Sequence, residues 1–315
     1  MSEGVLIEEL VSTVQVEQRK DVTLSVDSSS PRLTPFVKWA GGKGSLVRHL
    51  LPFVPSALAN YYEPFLGGGA IFLAVCRRDT KFKAFLSDTN PELINAYKIV
   101  KSLPSDLVRS LSNLRRRYKS TPNKEDFYYE IRAWEPTGSI ERAARFIFLN
   151  KTCYNGLYRV NPKGEFNVPF GHHMNPKIFD ENNVAAVSKA LRETHATLRT
   201  IDYRKATTAC QKGDFVYFDP PYHPSSETSS FTDYTPKGFR EEDQKELSKV
   251  FANLVRRGCR VLLSNSNTRL VRELYDDYSR KNILVNRPIN CVGTGRKGFR
   301  ELIVVGHLNQ TSLTD

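Results

Sequence analysis

Short apolar runs alternate with longer amphipathic stretches from Pro35 almost to the end of the chain. The short runs have the length of buried strands, and the longer stretches carry apolar residues at helical spacing, a combination typical of a layered α/β fold. The last two predicted strands flank a Gly-rich turn and indicate a hairpin, which adds one antiparallel strand to an otherwise parallel sheet. The predicted strands run from Asn60 to Pro64, Phe82 to Ser87, Ala196 to Ile201, Asp214 to Phe218, Arg260 to Ser264, Ile283 to Pro288 and Glu301 to Val305.

The region between the second and third predicted strands has a different pattern from its surroundings. It contains basic helical stretches followed by an irregular segment rich in Asn, Gly and Pro, with no convincing buried strand. This interruption predicts an inserted domain over residues 91–179, within a main α/β domain of residues 31–90 and 180–309. Residues 310–315 form a tail. Residues 1–30 form an acidic extension whose apolar spacing fits an amphipathic helix, although the polar linker behind it favours a disordered tail.

Net charge narrows the class of partner. The 315 residues carry a formal net charge of +12. Because residues 1–30 are acidic, the rest of the chain is more basic than this total. A basic surface points to a polyanion such as nucleic acid or to an anionic membrane. The longest apolar runs are far shorter than the roughly 20 residues of a membrane-spanning helix, so we predict nucleic acid as the partner.

Cysteine usage and the start of the chain bear on location. The 5 cysteines have no paired spacing, so we predict neither a zinc site nor a disulfide framework, and no metal elsewhere. The chain starts with acids where a signal peptide would be apolar. We therefore predict a reduced intracellular location, the cytoplasm, in association with the nucleoid.

A glycine-rich turn follows the first predicted strand and opens an apolar helix. Glu63, Phe65, Gly67 and Gly69 lie in this turn. Glycines let the backbone turn tightly and approach a ligand closely. The spacing is neither that of the dinucleotide fingerprint nor that of a P-loop, so the turn alone fits a nucleotide, a phosphate or mere packing.

Asp88 favours a nucleoside among these alternatives. It ends the next predicted strand about 20 residues after the glycines, where an acid accepts hydrogen bonds from ribose hydroxyls. The competing interpretation is that Asp88 only caps the helix that follows it. An upstream turn supplies Trp39, suited to pack against the ligand, and Lys43, suited to meet a carboxylate on it. On composition this turn also fits a phosphate loop, which its pairing with the segment around Asp219 argues against.

The most informative segment is Asp219, Pro220, Pro221 and Tyr222, which a buried apolar strand delivers to the carboxyl edge of the sheet. The amino nitrogen of an aromatic base is a poor nucleophile, because its lone pair is delocalised into the ring. Asp219 and the Pro220 carbonyl each suit one N–H of such an amine, which draws the lone pair out of conjugation. Tyr222 offers a ring on which an extruded base can lie. The segment predicts methylation of an exocyclic amine; the alternative is a rigid surface turn.

Taken together, these motifs resemble the Dam-like DNA adenine-N6 methyltransferases, the α-ordered amino-methyltransferases. The resemblance covers Pro35 to Gly306, nearly the whole chain apart from the acidic extension. It rests on separated motifs in the family's order, at residues 38–43, 63–69, 155–159 with 164–171, and 219–222.

The resemblance implies a fold, a cofactor and a division of labour. The α/β fold would be a Rossmann-like methyltransferase sheet with a reversed last strand, and the cofactor S-adenosylmethionine. The main domain would be the catalytic one, and residues 91–179 a mainly helical target-recognition domain with a hairpin or loop. Trp39, Lys43, Asp88 and Asp219 would line the cofactor pocket.

The segment from Tyr154 to Gly171 is the predicted target-reading element. An arginine pairs bidentately with guanine and a leucine packs on the thymine methyl group, although composition alone fits a structural hairpin equally well. We expect GATC as the target, while residues 151–153 and 172–174 depart from the family's pattern. In GATC-reading relatives, the positions that contact or wedge between bases match Lys38, Tyr154, Leu157, Arg159 and Pro169. Further DNA contacts are predicted at Asn155, Arg116 and Arg296.

The residues leave other functions open. Cytosine-N4 methylation and adenine methylation in RNA need the same two acceptors. An inactive DNA-binding regulator on the same scaffold is a third alternative, which the intact Asp219 and glycine turn argue against. The predicted partner is double-stranded DNA, bound by a monomer away from any membrane. A cognate restriction endonuclease is an additional predicted partner.

Overall fold

The computed structural model describes residues 33–39, 41–223, 239–285 and 299–307. The acidic extension, the Gly-rich turn with Arg296, and the tail therefore lie outside the described residues. All described residues belong to one compact unit. No described helix is both long enough and apolar enough to cross a membrane.

One sheet organises the described part of the chain. Its order is β3-β2-β1-β4-β5-β7-β6, with β1 to β5 parallel and β7 antiparallel to both β5 and β6. The predicted Rossmann-like sheet with a reversed last strand is confirmed. The strands are β1 Asn60–Glu63, β2 Lys83–Asp88, β3 Thr197–Thr200, β4 Phe215–Phe218, β5 Arg260–Ser266, β6 Ser279–Val285 and β7 Phe299–Gly306.

Helices cover both faces of this sheet and fill the region between β2 and β3. Short 3-10 turns occupy Lys43–Ser45, Leu51–Phe53 and Tyr154–Gly156. The α-helices are α1 Val47–Leu50, α2 Ala70–Cys76, α3 Pro91–Ser102, α4 Pro104–Ser120, α5 Lys124–Ala133, α6 Ser139–Thr152, α7 Glu181–Glu193, α8 Tyr203–Ala206, α9 Glu241–Arg256 and α10 Arg269–Leu274.

The core lies on both sides of the central strand β4. Phe215 and Tyr217 pack into the larger apolar cluster on one face, and Val216 and Phe218 into a second cluster on the other. All four side chains are buried. Successive side chains of a strand point to opposite faces, so an unbroken apolar run is what a strand covered on both faces requires.

The region between β2 and β3 is mainly helical, as predicted. In α4 the buried residues Leu107, Leu111, Leu114 and Tyr118 recur every three or four positions, while the basic residues face outward. A loop follows α6, and two isolated antiparallel bridges, Cys153 with Phe170 and Val160 with Phe166, close it. We call residues 153–170 the target loop. The boundaries of a target-recognition domain at residues 91 and 179 stay a prediction.

Candidate active site

The carboxyl ends of four neighbouring parallel strands meet at one edge of the sheet. β2, β1, β4 and β5 lie side by side in that order. The loops that follow them therefore converge, as they do at the sites of open α/β sheets. This edge collects the glycine turn after β1, Asp88 at the end of β2, Asp219 just after β4 and the last residues of β5.

Asp219 is held by one of its two carboxylate oxygens. Its Oδ1 lies 2.8 Å from Lys43 Nζ and accepts a hydrogen bond of 3.0 Å from Ser264 Oγ. Burial raises the pKa of the Asp219 carboxyl, against the attraction of Lys43. Among the described residues, none donates a hydrogen bond to Oδ2. Oδ1 is thus bound within the protein, and Oδ2 can accept a hydrogen bond from a substrate.

Lys43 ties the upstream turn to residues 219–222, which we call the catalytic segment after its predicted role. Its Nζ also donates to the Gly41 carbonyl and lies 4.5 Å from the centroid of the Tyr222 ring. The Tyr222 hydroxyl donates to Glu301 Oε2 at 2.7 Å, which fixes the ring from the reversed strand β7. Lys43 is nearly buried, at 5% exposure, so it serves here as an internal counter-ion. Its predicted contact with the cofactor stays a prediction.

The main chain of the catalytic segment is fixed from two elements. Gln244 of α9 donates from Nε2 to the Pro221 carbonyl at 3.0 Å. Asn265 Oδ1 accepts from the His223 amide at 3.3 Å, and Ser266 Oγ donates to the His223 carbonyl at 2.6 Å.

The Pro220 carbonyl receives no hydrogen bond from any described residue, in contrast to the Pro221 carbonyl. Proline 221 also supplies no N–H to the turn, which leaves fewer donors nearby. Together with Asp219 Oδ2, this carbonyl is a second acceptor left unpaired within the described structure. Two adjacent acceptors match the two N–H groups of an exocyclic amine.

Sequence reasoning missed the residues that hold this segment. The signal for three of them was present, because Ser264, Asn265 and Ser266 are polar residues at the carboxyl end of a strand that is otherwise apolar. Gln244 and Glu301 carry no such signal. Each lies next to other polar residues on its element, so nothing in the sequence distinguishes it, and its partner is far away in sequence.

The glycine turn is folded around Trp39 and Asp88. Gly67 and Gly69 have φ of +47° and +64°, in the region that side chains disfavour. A Cβ on Gly67 would lie 2.7 Å from Cδ1 of Trp39. Asp88 Oδ2 accepts from the Gly67 amide at 3.0 Å. Burial raises the pKa of the Asp88 carboxyl, which these main-chain donors oppose.

The alternative role of Asp88 as a helix cap is wrong. Asn90 is the N-cap of α3, and its side chain accepts from the amides of Glu92 and Leu93. Asp88 instead supports this turn from outside the helix, accepting from the Asn90 amide with Oδ1 at 3.0 Å. Asp88 is thus placed to connect the glycine turn to the start of α3.

The structure directs two predicted cofactor residues toward the protein interior. Glu63 is 2% exposed and accepts from the Tyr61 hydroxyl at 2.8 Å. Burial raises its pKa to about 8. Phe65 packs on the ring of Tyr203, with 5.2 Å between centroids, and on Phe218. Both support the turn from behind, so any contact with the cofactor stays a prediction.

The target loop gathers most of the predicted DNA-contacting residues. Lys38 is exposed and packs against Gly156, where an added Cβ would lie 2.6 Å from Lys38 Cβ. The Tyr154 amide donates to the Pro169 carbonyl at 2.9 Å, and the Tyr154 side chain is 44% exposed. These contacts bring Lys38, Tyr154 and Pro169 to one region although the sequence separates them.

The remaining predicted contacts are distributed differently. Arg159 is exposed, and its Nε donates to Asn167 Oδ1 at 2.7 Å. Leu157 is half-buried, and Asn155 adopts a φ of +54°, which asparagine tolerates better than most residues. Arg116 lies exposed on α4, outside the target loop. All of these DNA contacts stay predictions.

Comparison with known proteins gives a consistent family. A family model for "D12 class N6 adenine-specific DNA methyltransferase" matches residues 39–289. The chain is 41% identical over 287 residues to the type II methyltransferase M.MjaIII of Methanocaldococcus jannaschii, covering 87% of this chain and 99% of that protein. It is 40% identical over 283 residues to the type II methyltransferase M1.LlaDCHI of Lactococcus lactis subsp. cremoris, covering 88% and 96%. It is 34% identical over 274 residues to a DNA adenine methylase of Vibrio cholerae, covering 86% and 95%.

These matches extend over the motifs that carried the resemblance. The family model begins at Trp39 and includes Asp88 and Asp219. The predicted Dam-like family and S-adenosylmethionine as the methyl donor are thereby confirmed. The chain belongs to the D12 class N6 adenine-specific DNA methyltransferases.

Proposed function

We propose that this enzyme methylates the N6 amino group of adenine within GATC in double-stranded DNA, acting on a base extruded from the duplex. The observation that carries the proposal is the pair of acceptors, Asp219 Oδ2 and the Pro220 carbonyl, to which no described residue donates. In the same segment, the protein holds Asp219 Oδ1, the Pro221 carbonyl and the Tyr222 hydroxyl.

The residues at the sheet edge fit S-adenosylmethionine. Gly67 lets the turn pack directly against the Trp39 indole, because a Cβ there would lie 2.7 Å from Trp39 Cδ1. Asp88 lies at the carboxyl end of β2, where an acid accepts from ribose hydroxyls. When bound, the cofactor supplies an electrophilic methyl group on a sulfonium. Trp39, Gly67 and Asp88 are the residues that would hold it.

The chain's own contribution is to orient the amine. Asp219 Oδ2 and the Pro220 carbonyl would each accept one N–H of the adenine amino group. This pulls the nitrogen toward tetrahedral geometry and directs its lone pair away from both acceptors. Lys43 and Ser264 hold the other carboxylate oxygen, so the Asp219 side chain needs little rearrangement when the adenine binds. The proton released on methylation has Asp219 as its nearest candidate acceptor.

The same geometry supports extrusion of the base. Inside a duplex, the adenine amino group is paired and stacked, and two protein acceptors cannot reach it together. Tyr222 presents its ring beside Asp219, fixed by Glu301 and by the Lys43 cation. We propose that the extruded adenine stacks on this ring.

The target GATC is supported by residues that the fold brings together around the target loop. A direct test is methyl transfer to duplexes that differ from GATC at one position at a time. The proposal expects the native tetranucleotide to be methylated far faster than each variant. Equal rates on all duplexes, or a faster rate on a variant, would contradict the target sequence while leaving the family assignment intact.

Arg159 should carry discrimination at one guanine. Because a bidentate arginine contact contributes about 1–3 kcal/mol of specificity, Arg159→Ala should lose roughly 5- to 150-fold of the preference for that guanine. The measurement is kcat/KM on the GATC duplex against a duplex altered at each guanine. Arg116→Ala is the matched control: as a phosphate contact it should weaken all duplexes alike. Unchanged sequence preference in Arg159→Ala would refute the assignment.

Gly67 should contribute to cofactor affinity. In Gly67→Ala, the added Cβ meets the Trp39 ring at 2.7 Å in a backbone conformation that alanine disfavours. We expect the affinity for an S-adenosylmethionine analogue to fall about tenfold or more, which is ~1.4 kcal/mol. Gly213→Ala is the control, since Gly213 also has positive φ but has no atom within 4 Å of the added Cβ. Equal affinities of the two variants would contradict this role.

Two partner predictions also belong to the proposal. Two of the relatives are named type II methyltransferases, which supports a cognate restriction endonuclease. Separately, if the target is GATC, expression of the chain should protect plasmid DNA from an endonuclease that GATC methylation blocks. The monomeric state and the association with the nucleoid stay predictions.

The target-recognition domain at residues 91–179 is likewise a proposal.

A further inference from the structure

A buried asparagine joins the cofactor side of the site to the target loop. Asn150, near the end of α6, is 1% exposed. Its Oδ1 accepts from the Lys38 amide at 2.7 Å, and its Nδ2 donates to the Lys38 carbonyl at 2.7 Å and to the Gly156 carbonyl at 3.1 Å. Both amide N–H groups and the amide oxygen are therefore used, so no rotation of the side chain preserves the set.

The first two bonds fix the segment that reaches the cofactor turn. Lys38 is followed by Trp39, whose indole packs against Gly67 and stacks on Tyr158 with 6.0 Å between ring centroids. Four residues further, Lys43 meets Asp219. A shift of Lys38 would therefore move the indole against the glycine turn, because close-packed contacts transmit displacement.

The third bond fixes the target loop. The Gly156 carbonyl lies at the end of the 3-10 turn Tyr154–Gly156, directly before Leu157. Gly156 also packs against the stem of Lys38, an exposed residue beside the predicted base contacts. One amide thus fixes two chain segments more than 100 residues apart, one leading to Trp39 and the other within the target loop.

We propose that Asn150 is a positioning residue that couples cofactor binding to recognition of the DNA target. The inference rests on the proposed function, since it takes the target loop as the DNA-reading element. Cofactor held by the glycine turn restricts the positions of Trp39 and Lys38. Through its bonds to Lys38 and Gly156, Asn150 then restricts the position of the 3-10 turn that ends at Gly156. By linkage, cognate DNA must then raise cofactor affinity by the factor by which cofactor raises DNA affinity.

The chain provides a matched control for this amide. Asn183 of α7 makes the same pair of main-chain bonds to Thr34, four residues before Lys38. Its Oδ1 accepts from the Thr34 amide at 2.9 Å, and its Nδ2 donates to the Thr34 carbonyl at 2.9 Å. It is 6% exposed and has no bond to the target loop. Asn183→Asp therefore removes a comparable main-chain bracket without touching the proposed coupling.

The test measures binding, not activity. The affinity of the native protein for a non-transferable S-adenosylmethionine analogue is measured by calorimetry with and without a GATC duplex. We expect the duplex to raise this affinity about tenfold, within the usual range of coupling between sites. In Asn150→Asp, which keeps the acceptor but loses both donors, the ratio should fall below about twofold, while Asn183→Asp keeps the native ratio.

The outcomes separate this inference from the proposed function. A native ratio retained in Asn150→Asp, or a ratio near one in the native protein, overturns the coupling. If Asn150→Asp does not fold, Gly156→Ala disturbs the same junction from the other side, because its Cβ meets Lys38, and it must lower the ratio. If the native protein prefers another duplex sequence, GATC is wrong, and the same ratio on the preferred duplex still decides the coupling.

Discussion

The Asp219→Ala protein should bind the GATC duplex about as tightly as the native protein and transfer methyl groups about 10³-fold more slowly. Removing one preorganised acceptor from a site of this kind typically costs 10²–10³ in rate, and loss of a proton acceptor adds to that. DNA affinity should be retained because the predicted base contacts lie on the target loop and on Lys38. Single-turnover transfer from a labelled cofactor and a binding titration measure the two quantities separately.

Ser264→Ala is the control for this variant. Ser264 Oγ bonds to the carboxylate oxygen that also faces Lys43 and to the Tyr217 hydroxyl at 2.8 Å, so its removal leaves both proposed acceptors in place. We expect about a tenfold loss, the size of one hydrogen bond of about 1 kcal/mol or slightly more. Turnover of Asp219→Ala at the native rate would refute the proposed mechanism.

The second large effect concerns stability against pH. Burial raises the pKa of Glu63 to about 8, so the folded protein binds a proton there that the unfolded chain has released. The native protein therefore loses stability as pH rises from about 4.5 to about 8. Glu63→Gln cannot ionise and lacks this loss. At pH 9 we expect Glu63→Gln to exceed the native protein in unfolding free energy by roughly 3–5 kcal/mol more than at pH 4.

The difference between the two proteins isolates Glu63 from other groups. Denaturant unfolding of both proteins at several pH values gives the free energies, and contributions common to both cancel in the difference. Tyr61 should remain bonded in the variant, because the glutamine oxygen can still accept its hydroxyl. A difference that stays constant from pH 4 to pH 9 would show that Glu63 is ionised in the folded protein.

Strong apolar periodicity explains how much of the fold could be predicted. β4 is a continuous apolar run and β5 contains one, and the structure places both strands within a few residues of their predicted bounds. β6 begins at Ser279, four residues before the predicted start. The prediction started too late because the first residues of the strand, Ser-Arg-Lys-Asn, are polar. An edge strand exposed to water does not need an apolar start, so periodicity underestimates its length.

The candidate site was predictable where chemistry is concentrated in short motifs. The residue types of Asp219 and Pro220 predict a pair of acceptors for an amine. In the described structure, no residue donates to Asp219 Oδ2 or to the Pro220 carbonyl. The supports of these groups were not predictable. Gln244 and Asn150 lie beside other polar residues on amphipathic helices, and only the tertiary fold shows that each bonds to a distant main-chain segment. The periodicity of apolar residues along a sequence carries no information about hydrogen bonds between residues that are distant in sequence.

A crystal structure of the protein with a non-transferable cofactor analogue and a GATC duplex tests the central claim most directly. We expect the target adenine outside the helix, with its N6 at hydrogen-bond distance, about 2.7–3.2 Å, from both Asp219 Oδ2 and the Pro220 carbonyl. An adenine still paired in the duplex, or an Asp219 carboxylate that faces away from the cofactor sulfur, would contradict the account.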